Sequence, residues 1–354
     1  MVRTPWMRLV SASALGGVLA LGAAACGSDQ GGPSESGPDA GSDKKITVYS
    51  GRSESLVKPV LDDFREATGI TVDVRYGDTA AMAAQLQEEG DRSPADVFLA
   101  QDAGALGAVA KRDLFAELPD AVLDKVQDAY RDDDGEWVGV TGRVRTMVYT
   151  VDQVPGSDLP KSVFELTEPQ WKGKVGIAPT NGSFQAFITA MRVQHGEDRT
   201  KEFLTGLKAN DAQIREGNAP IVADVNKGRI AAGLVNHYYV YELAKEEGTT
   251  VDALKAKNHF FPDRDIGSLV NVSGVGVLKK ADDDPDVRAF VDHLLGKQAQ
   301  TYFAEETYEY PLVAGVDSAP GLPELASLNA PDIDLNDLDD LEATVKMIKD
   351  SGLV

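Results

Sequence analysis

One cysteine, Cys26, is all that the 354 residues contain, so a single chain can form no disulfide, iron–sulfur cluster, cysteine-ligated zinc site or paired-thiol chemistry, and burial must hold the fold together. Histidine is nearly as sparse. The four, His195, His237, His259 and His293, are scattered, and no His-Glu-x-x-His spacing marks a zinc hydrolase. Basic residues are in deficit, 35 Lys and Arg against 57 Asp and Glu, which excludes nucleic acid as a natural partner. A serine elbow and a glycine-rich phosphate loop are missing as well. The uncharged apolar run from Leu9 to Ala25 is short for a membrane-spanning helix.

What is present begins with an address. Arg3 and Arg8 precede that run, which ends Ala23-Ala24-Ala25-Cys26, the order of a bacterial lipoprotein signal. Residues 1–25 are expected to be removed as a signal peptide, and Cys26 to become a lipidated N-terminus on the extracytoplasmic face of the cell membrane. The alternative is ordinary secretion with a free thiol, because the lipoprotein pattern prefers a larger aliphatic residue where Ala23 stands. Losing Arg3 and Arg8 takes the formal charge from −22 to −24. Residues 26–43 are mostly Gly, Ser, Pro, Asp and Glu without a large apolar side chain, the composition of a flexible tether. The remainder, from Lys44 to Val354, is long enough for two domains.

Along that remainder the hydrophobic period alternates between two and 3.6. Ile46 to Tyr49 reads as a strand, and Leu56, Val57, Val60, Leu61 and Phe64 recur at helical spacing until Thr68-Gly69. Strand Ile70 to Val74, helix Ala80 to Glu89, strand Ala95 to Leu99 and a helix from about Asp102 complete an open α/β unit. Trp137 to Val140 and Thr146 to Tyr149 read as two strands crossing at a hinge. The alternation then resumes: strand Val175 to Ala178, a helix to Gln194, another around Phe203 and Leu207, strand Ile230 to Val235, a helix from about His237, and a β-branched return at Ser268 to Leu278. The expectation is two α/β lobes, 44–142 with about 266–317 and 143–265 with about 318–354, and a ligand cleft at the carboxyl ends of the strands.

Tyr238-Tyr239 falls at such an end, where a strand runs into a helix. Adjacent residues on a helix point about 100° apart, so two neighbouring side chains converge only at a helix start or in a loop. Ferric ion is a hard acid that prefers anionic oxygen, and its charge can drive the proton from a phenol whose pKa is about 10. Two phenolates would suit it. On spacing alone the dipeptide reads first as a buried aromatic pair with hydrogen-bonded hydroxyls.

Six ordered segments carry a resemblance across nearly the whole mature chain: Tyr49-Ser50-Gly51-Arg52, Ser93 to Phe98, Thr141 to Arg145 with Tyr149, Pro179 to Gly182, Asn236 to Tyr239, and Glu309-Tyr310-Pro311-Leu312. Together they resemble the ferric-ion-binding periplasmic proteins of ABC transporters. That resemblance implies a two-lobed type II periplasmic-binding-protein fold and no enzymatic activity. Its cargo would be Fe3+, bound with a synergistic carbonate or phosphate and handed to a permease with its ATPase, by a chain expected to act as a monomer. It makes Tyr238 and Tyr239 metal ligands, matches a third tyrosine ligand to Tyr149, and offers Glu54 as a carboxylate ligand. Ser53 and Gln101 stand where several members carry a histidine and a glutamate ligand. Arg52, Arg143 and Arg145 are candidates to hold the anion, with Asp102, Asn181, Gly182, Ser183, Asn218 and Asn236 at or near anion-contacting positions; surface ion pairs or lobe-closing salt bridges are the other reading of the arginines.

Two rivals remain. In one, the same fold binds an organic anion or phosphonate through the arginines, and the tyrosines merely line the cleft. In the other, Ser55 and Lys58 form a Ser-x-x-Lys pair of an exported hydrolase. Asp332-x-Asp334-x-Asn336 begins like a calcium loop but has Asp337 at position six and Ala343 at position twelve, which makes it an acidic tail.

Overall fold

The computed structural model describes residues 44–354. The expected signal peptide, Cys26 and the tether lie outside the described residues. Strands and helices alternate from the start: β1 (Lys45–Ser50), α1 (Glu54–Thr68), β2 (Thr71–Tyr76), α2 (Thr79–Glu89), β3 (Val97–Ala100) and α3 (Ala103–Ala110). Each element has a local cause. On α1 the buried residues are the five apolar ones anticipated from helical spacing, and the helix stops at Gly69, whose φ of 72° lets its N–H return to the Arg65 carbonyl. All four residues of β3 are buried, as in a strand covered on both faces.

After the short α4 (Asp120–Leu123) comes β4 (Trp137–Thr150), fourteen residues without a break. Two separate strands were expected here. The chain instead absorbs its irregularity as a register shift between Gly139 and Thr141, then stays extended through Gly142 and Arg143. The remaining elements are β5 (Val175–Ile177), α5 (Gly182–His195), α6 (Glu197–Ala209), β6 (Gln213–Ile214), α7 (Asn218–Asn226), β7 (Ala232–Asn236), α8 (Tyr238–Glu246), β8 (Ala256–His259), β9 (Val270–Val277), α9 (Pro285–Leu294), α10 (Lys297–Glu306), β10 (Tyr310–Pro311) and α11 (Leu341–Asp350). None of these helices is long and apolar enough to cross a membrane.

The strands pair in the order β2-β1-β3-β9-β4-β7-β5-β6, with β8 and β10 added along β4. One half is built on parallel β1, β2 and β3 and closed by antiparallel β9; the other is parallel β5, β6 and β7. Strand β4 belongs to both, pairing β9 along Trp137 to Val144 and β7 along Arg145 to Tyr149. Helices α3 and α5 pack against each other, and the chain's last segment, the turn Leu335–Leu338 followed by α11, packs on both of them. That segment, expected with the second lobe, therefore touches helices of both halves.

Candidate functional site

Most of the anticipated polar residues meet where the two halves face each other. Asn236 ends β7 opposite Arg145 on β4, and α8 opens directly on Tyr238. The start of α8 is fastened by His237. Its backbone N–H donates to the Val144 carbonyl at 3.0 Å, its Nδ1 accepts from the Val144 N–H at 3.2 Å, and its Nε2 donates to the Tyr308 carbonyl at 2.8 Å. Burial holds this imidazole neutral, with its pKa pushed down to about 4. It positions the tyrosines and has no free nitrogen for a metal.

The Tyr238 and Tyr239 rings lie 4.4 Å apart at 31°. Tyr238 is fully buried, yet its hydroxyl has no hydrogen-bond partner in the protein. Burial, then the neighbouring Tyr238, pushes the Tyr239 phenol well above its usual pKa. Among the described residues no cluster of three His, Cys, Asp or Glu side chains is placed to hold a metal, so a metal here would depend on phenol oxygens.

Beside the tyrosines stands a donor-rich wall. Asn181 caps α5, its Oδ1 accepting from the Ser183 N–H at 3.1 Å, the Ser183 hydroxyl at 2.6 Å and Asn218 Nδ2 at 3.1 Å. Arg145 Nη1 donates to Ser183 Oγ at 3.1 Å and to Asn218 Oδ1 at 3.4 Å, and Nη2 to the Leu234 carbonyl at 2.9 Å. Its guanidinium also lies over Phe184 and Phe187, and burial lowers its pKa to about 9. A Cβ on Gly182 would stand 2.4 Å from Thr79 Cγ2 and 2.9 Å from Asp102 Oδ2, so only glycine lets the first turn of α5 reach the starts of α2 and α3.

Arg52 and Arg143 are both buried, and they differ. Arg52 Nη2 meets Glu309 Oε2 at 2.5 Å, and that fully buried carboxylate also accepts from Thr141 at 3.0 Å and Thr307 at 3.1 Å. Arg143 Nη1 is 3.6 Å from Glu309 Oε1, beyond hydrogen-bond reach, and neither of its terminal nitrogens has a partner. Arg145 Nε, Asn236 Nδ2 and Asp102 Oδ2 are likewise unmet. Arg143, Arg145, Asn236, Asp102 and Ser183 line a cavity of about 10 Å3, closed further by Leu269 and Asn271. Buried donors without acceptors are costly. Their convergence leaves several donors of one small cavity without an acceptor.

Some anticipated residues are elsewhere. Tyr149 pairs with Ala232 and Lys257, four residues beyond Arg145 on β4 and so about 13 Å along the strand; the structure does not bring it to the tyrosine pair. Glu54 opens α1 exposed, and it lines a shallow depression with Lys58, Asp62, Arg65 and Tyr76 while Ser53 and Ser55 face the cleft. Lys58 is held by Asp62 at 2.6 Å, so Ser55 and Lys58 form no dyad. Gln101 is buried at the contact with Gly182.

Three residues with no role assigned from sequence also belong here. Glu309 opens the last of the six resembling segments, but its partner Arg52 is 257 residues away and no spacing could reveal the pair. Glu242 and Tyr302 line, with Tyr239, a cleft of about 550 Å3. Burial, then Glu309, pushes the Glu242 carboxyl up to about 8, and burial, then Glu306, pushes the Tyr302 phenol up to about 12.

Comparison with known proteins establishes the family. Residues 92–336 match the family model described as bacterial extracellular solute-binding protein. The Fe(3+)-binding periplasmic protein of Serratia marcescens is 33% identical over 338 residues, covering 95% of each chain. Iron-bound HitA from Pseudomonas aeruginosa superimposes with a TM-score of 0.82 at 32% identity, covering 87% of this chain and 99% of that one. The Trichodesmium protein IdiA (FutA), in complex with iron and citrate ligands, gives 0.72 at 28% identity over 87% of this chain and 99% of its own. The fold is therefore the two-lobed type II binding-protein architecture expected from the sequence.

Proposed function

Since the chain belongs to the bacterial extracellular solute-binding proteins, in the family of the ferric-iron-binding periplasmic proteins, and is a transport receptor with no enzymatic activity, we propose that it captures ferric iron between its lobes through Tyr238 and Tyr239 together with an anion. The observation that carries this is the buried, unpartnered Tyr238 hydroxyl beside unpartnered donors of Arg143, Arg145 and Asn236. Phenolates answer the hard cation; the donors answer a carbonate or phosphate that bridges to it. Asn181, Gly182, Ser183 and Asn218 shape the anion's other side at the start of α5 and α7. Asp102 borders it, and with burial lifting its pKa to about 6 it is protonated and able to donate to the anion below that pH. Arg52 is engaged by Glu309 and holds the first lobe's side of the cleft.

Tyr149 and Glu54 have no part in this ligand set, because Tyr149 lies too far along β4 and Glu54 turns out of the cleft. The lobes are 44–142 with about 266–317 and 143–265 with about 318–354, the last segment bridging to both, and they close over the ion so that binding and motion are coupled. Lipid on Cys26 keeps the monomeric receptor at the outer face of the membrane, where a permease and its ATPase receive the iron.

The test is a visible spectrum of the purified full-length protein titrated with ferric citrate in bicarbonate buffer, beside Tyr238→Phe. A saturable phenolate-to-iron charge-transfer band at one equivalent, lost or shifted in the variant, is expected. A folded wild type with no band, binding citrate or phosphate alone, would instead favour a receptor for organic anions.

A further inference from the structure

Two phenolates and a small bridging anion leave part of a ferric ion's coordination shell unfilled, and a carboxylate oxygen suits that hard acid. The sequence offered Glu54, which turns away from the cleft, and Gln101, which is neutral. The tyrosines' own helix offers another. Glu242 lies three residues after Tyr239 and four after Tyr238 on α8, the spacing that stacks side chains on one helix face. Helical side chains lean toward the preceding turn, so Glu242 reaches back over the tyrosines.

Its surroundings agree. Glu242 lines the cleft with Tyr239 and is only partly exposed. Nearby Glu306 is held by Lys245, and Glu309 by Arg52. Glu242 has neither a hydrogen bond nor an ion pair among the described residues, and its carboxylate is left free toward the cleft that it lines. Tyr302 faces it from α10, in the other half of the molecule. We propose that Glu242 is the carboxylate ligand of the ferric ion, which makes α8 the source of three anionic oxygens from little more than one helical turn. The inference rests on the tyrosinate reading above.

Ferric nitrilotriacetate titrations of the full-length protein would compare wild type, Glu242→Gln and Tyr302→Phe, with thermal unfolding of each iron-free protein alongside. Glu242→Gln should bind iron at least about 100-fold more weakly, the upper end of what loss of a supporting residue costs a metal site. Its charge-transfer band should move to longer wavelength, because a neutral amide or water leaves the iron a better electron acceptor. The iron-free variant should be no less stable than wild type, since Glu242 has no partner to lose. A wild-type band that persists in Glu242→Gln at the same wavelength and affinity would overturn this inference and leave the tyrosinate site standing. Glu242 is equally ruled out as a ligand if only Tyr302→Phe shifts the band, or if Glu242→Gln weakens binding solely by destabilising the iron-free protein. A wild type without any band would sink the tyrosinate reading itself.

Discussion

Helix α5 takes part in two different contacts between the halves of the molecule. At its first turn Gly182 and Ser183 meet Thr79, Asp102 and Arg145, and the polar groups gathered there are left partly unpaired. Near its last turns Thr189 bonds Thr344 at 2.7 Å, while Arg192 reaches Thr344 Oγ1 at 2.8 Å, Asp340 Oδ2 at 2.8 Å and Glu197 Oε1 at 2.8 Å. Lys111, just past α3, pairs with Asp339 at 2.9 Å. Both places are polar and both join the halves, but only one is complete in itself. A structural seam satisfies its donors internally, whereas a binding site keeps them aimed at something else.

Arg143 breaks the comparison most severely. If its guanidinium is kept unpaired for an anion, Arg143→Met should weaken ferric binding in bicarbonate by about 100-fold, as loss of a charge-assisted bidentate contact implies. The same change should stabilise the iron-free protein, because a buried charge lacking hydrogen bonds is removed while Glu309 keeps Arg52, Thr141 and Thr307. Opposite signs in the two measurements identify a residue retained for binding. Weaker binding with a less stable iron-free protein would assign Arg143 to the fold, beside Arg52 and Glu309.

How much of this was legible beforehand follows from which interactions are local. The alternation of strands and helices was readable because periodicity is a property of neighbouring residues, as at α1 and β3. The tyrosine pair was readable because a strand end and a helix start adjoin in sequence. The direction of a side chain at a helix start was not. Ser53, Glu54 and Ser55 are consecutive, and only their position on the first turn of α1 decides that the serines face the cleft and Glu54 faces Tyr76. Tyr149 shares a face of β4 with Arg145, but four residues of strand separate them. The short strands β6, β8 and β10 give two to four residues of pattern, too few for a period to show.

Asp102 offers a smaller test of the unpaired side. Burial raises its pKa from 3.8 to about 6, so the folded chain holds this proton more tightly than the unfolded chain does. The group's contribution is therefore most favourable below about pH 4 and declines as pH rises to about 6. Asp102→Asn keeps the cap on α3 without the charge. Urea unfolding of the iron-free variant should show roughly 3 kcal/mol more stability than wild type at pH 7, from a shift of about two units, with the difference vanishing by about pH 4. Parallel wild-type and variant profiles across that range would remove Asp102 from the set of costly groups.

The least effect is expected at the completed seam. Arg192→Met removes several hydrogen bonds, but Glu197 and Asp340 are each about half exposed, 59% and 49%, and water can replace the cation for both. Thr344 keeps Thr189, and a methionine chain still covers the apolar part of the contact. A loss of about 1 kcal/mol in urea unfolding is expected, the range of exposed ion pairs, with ferric affinity unchanged. Should affinity fall tenfold while the loss of stability stays that small, the two ends of α5 would be energetically coupled. The C-terminal segment would then set how far the lobes can open, and the seam would belong to the binding cycle.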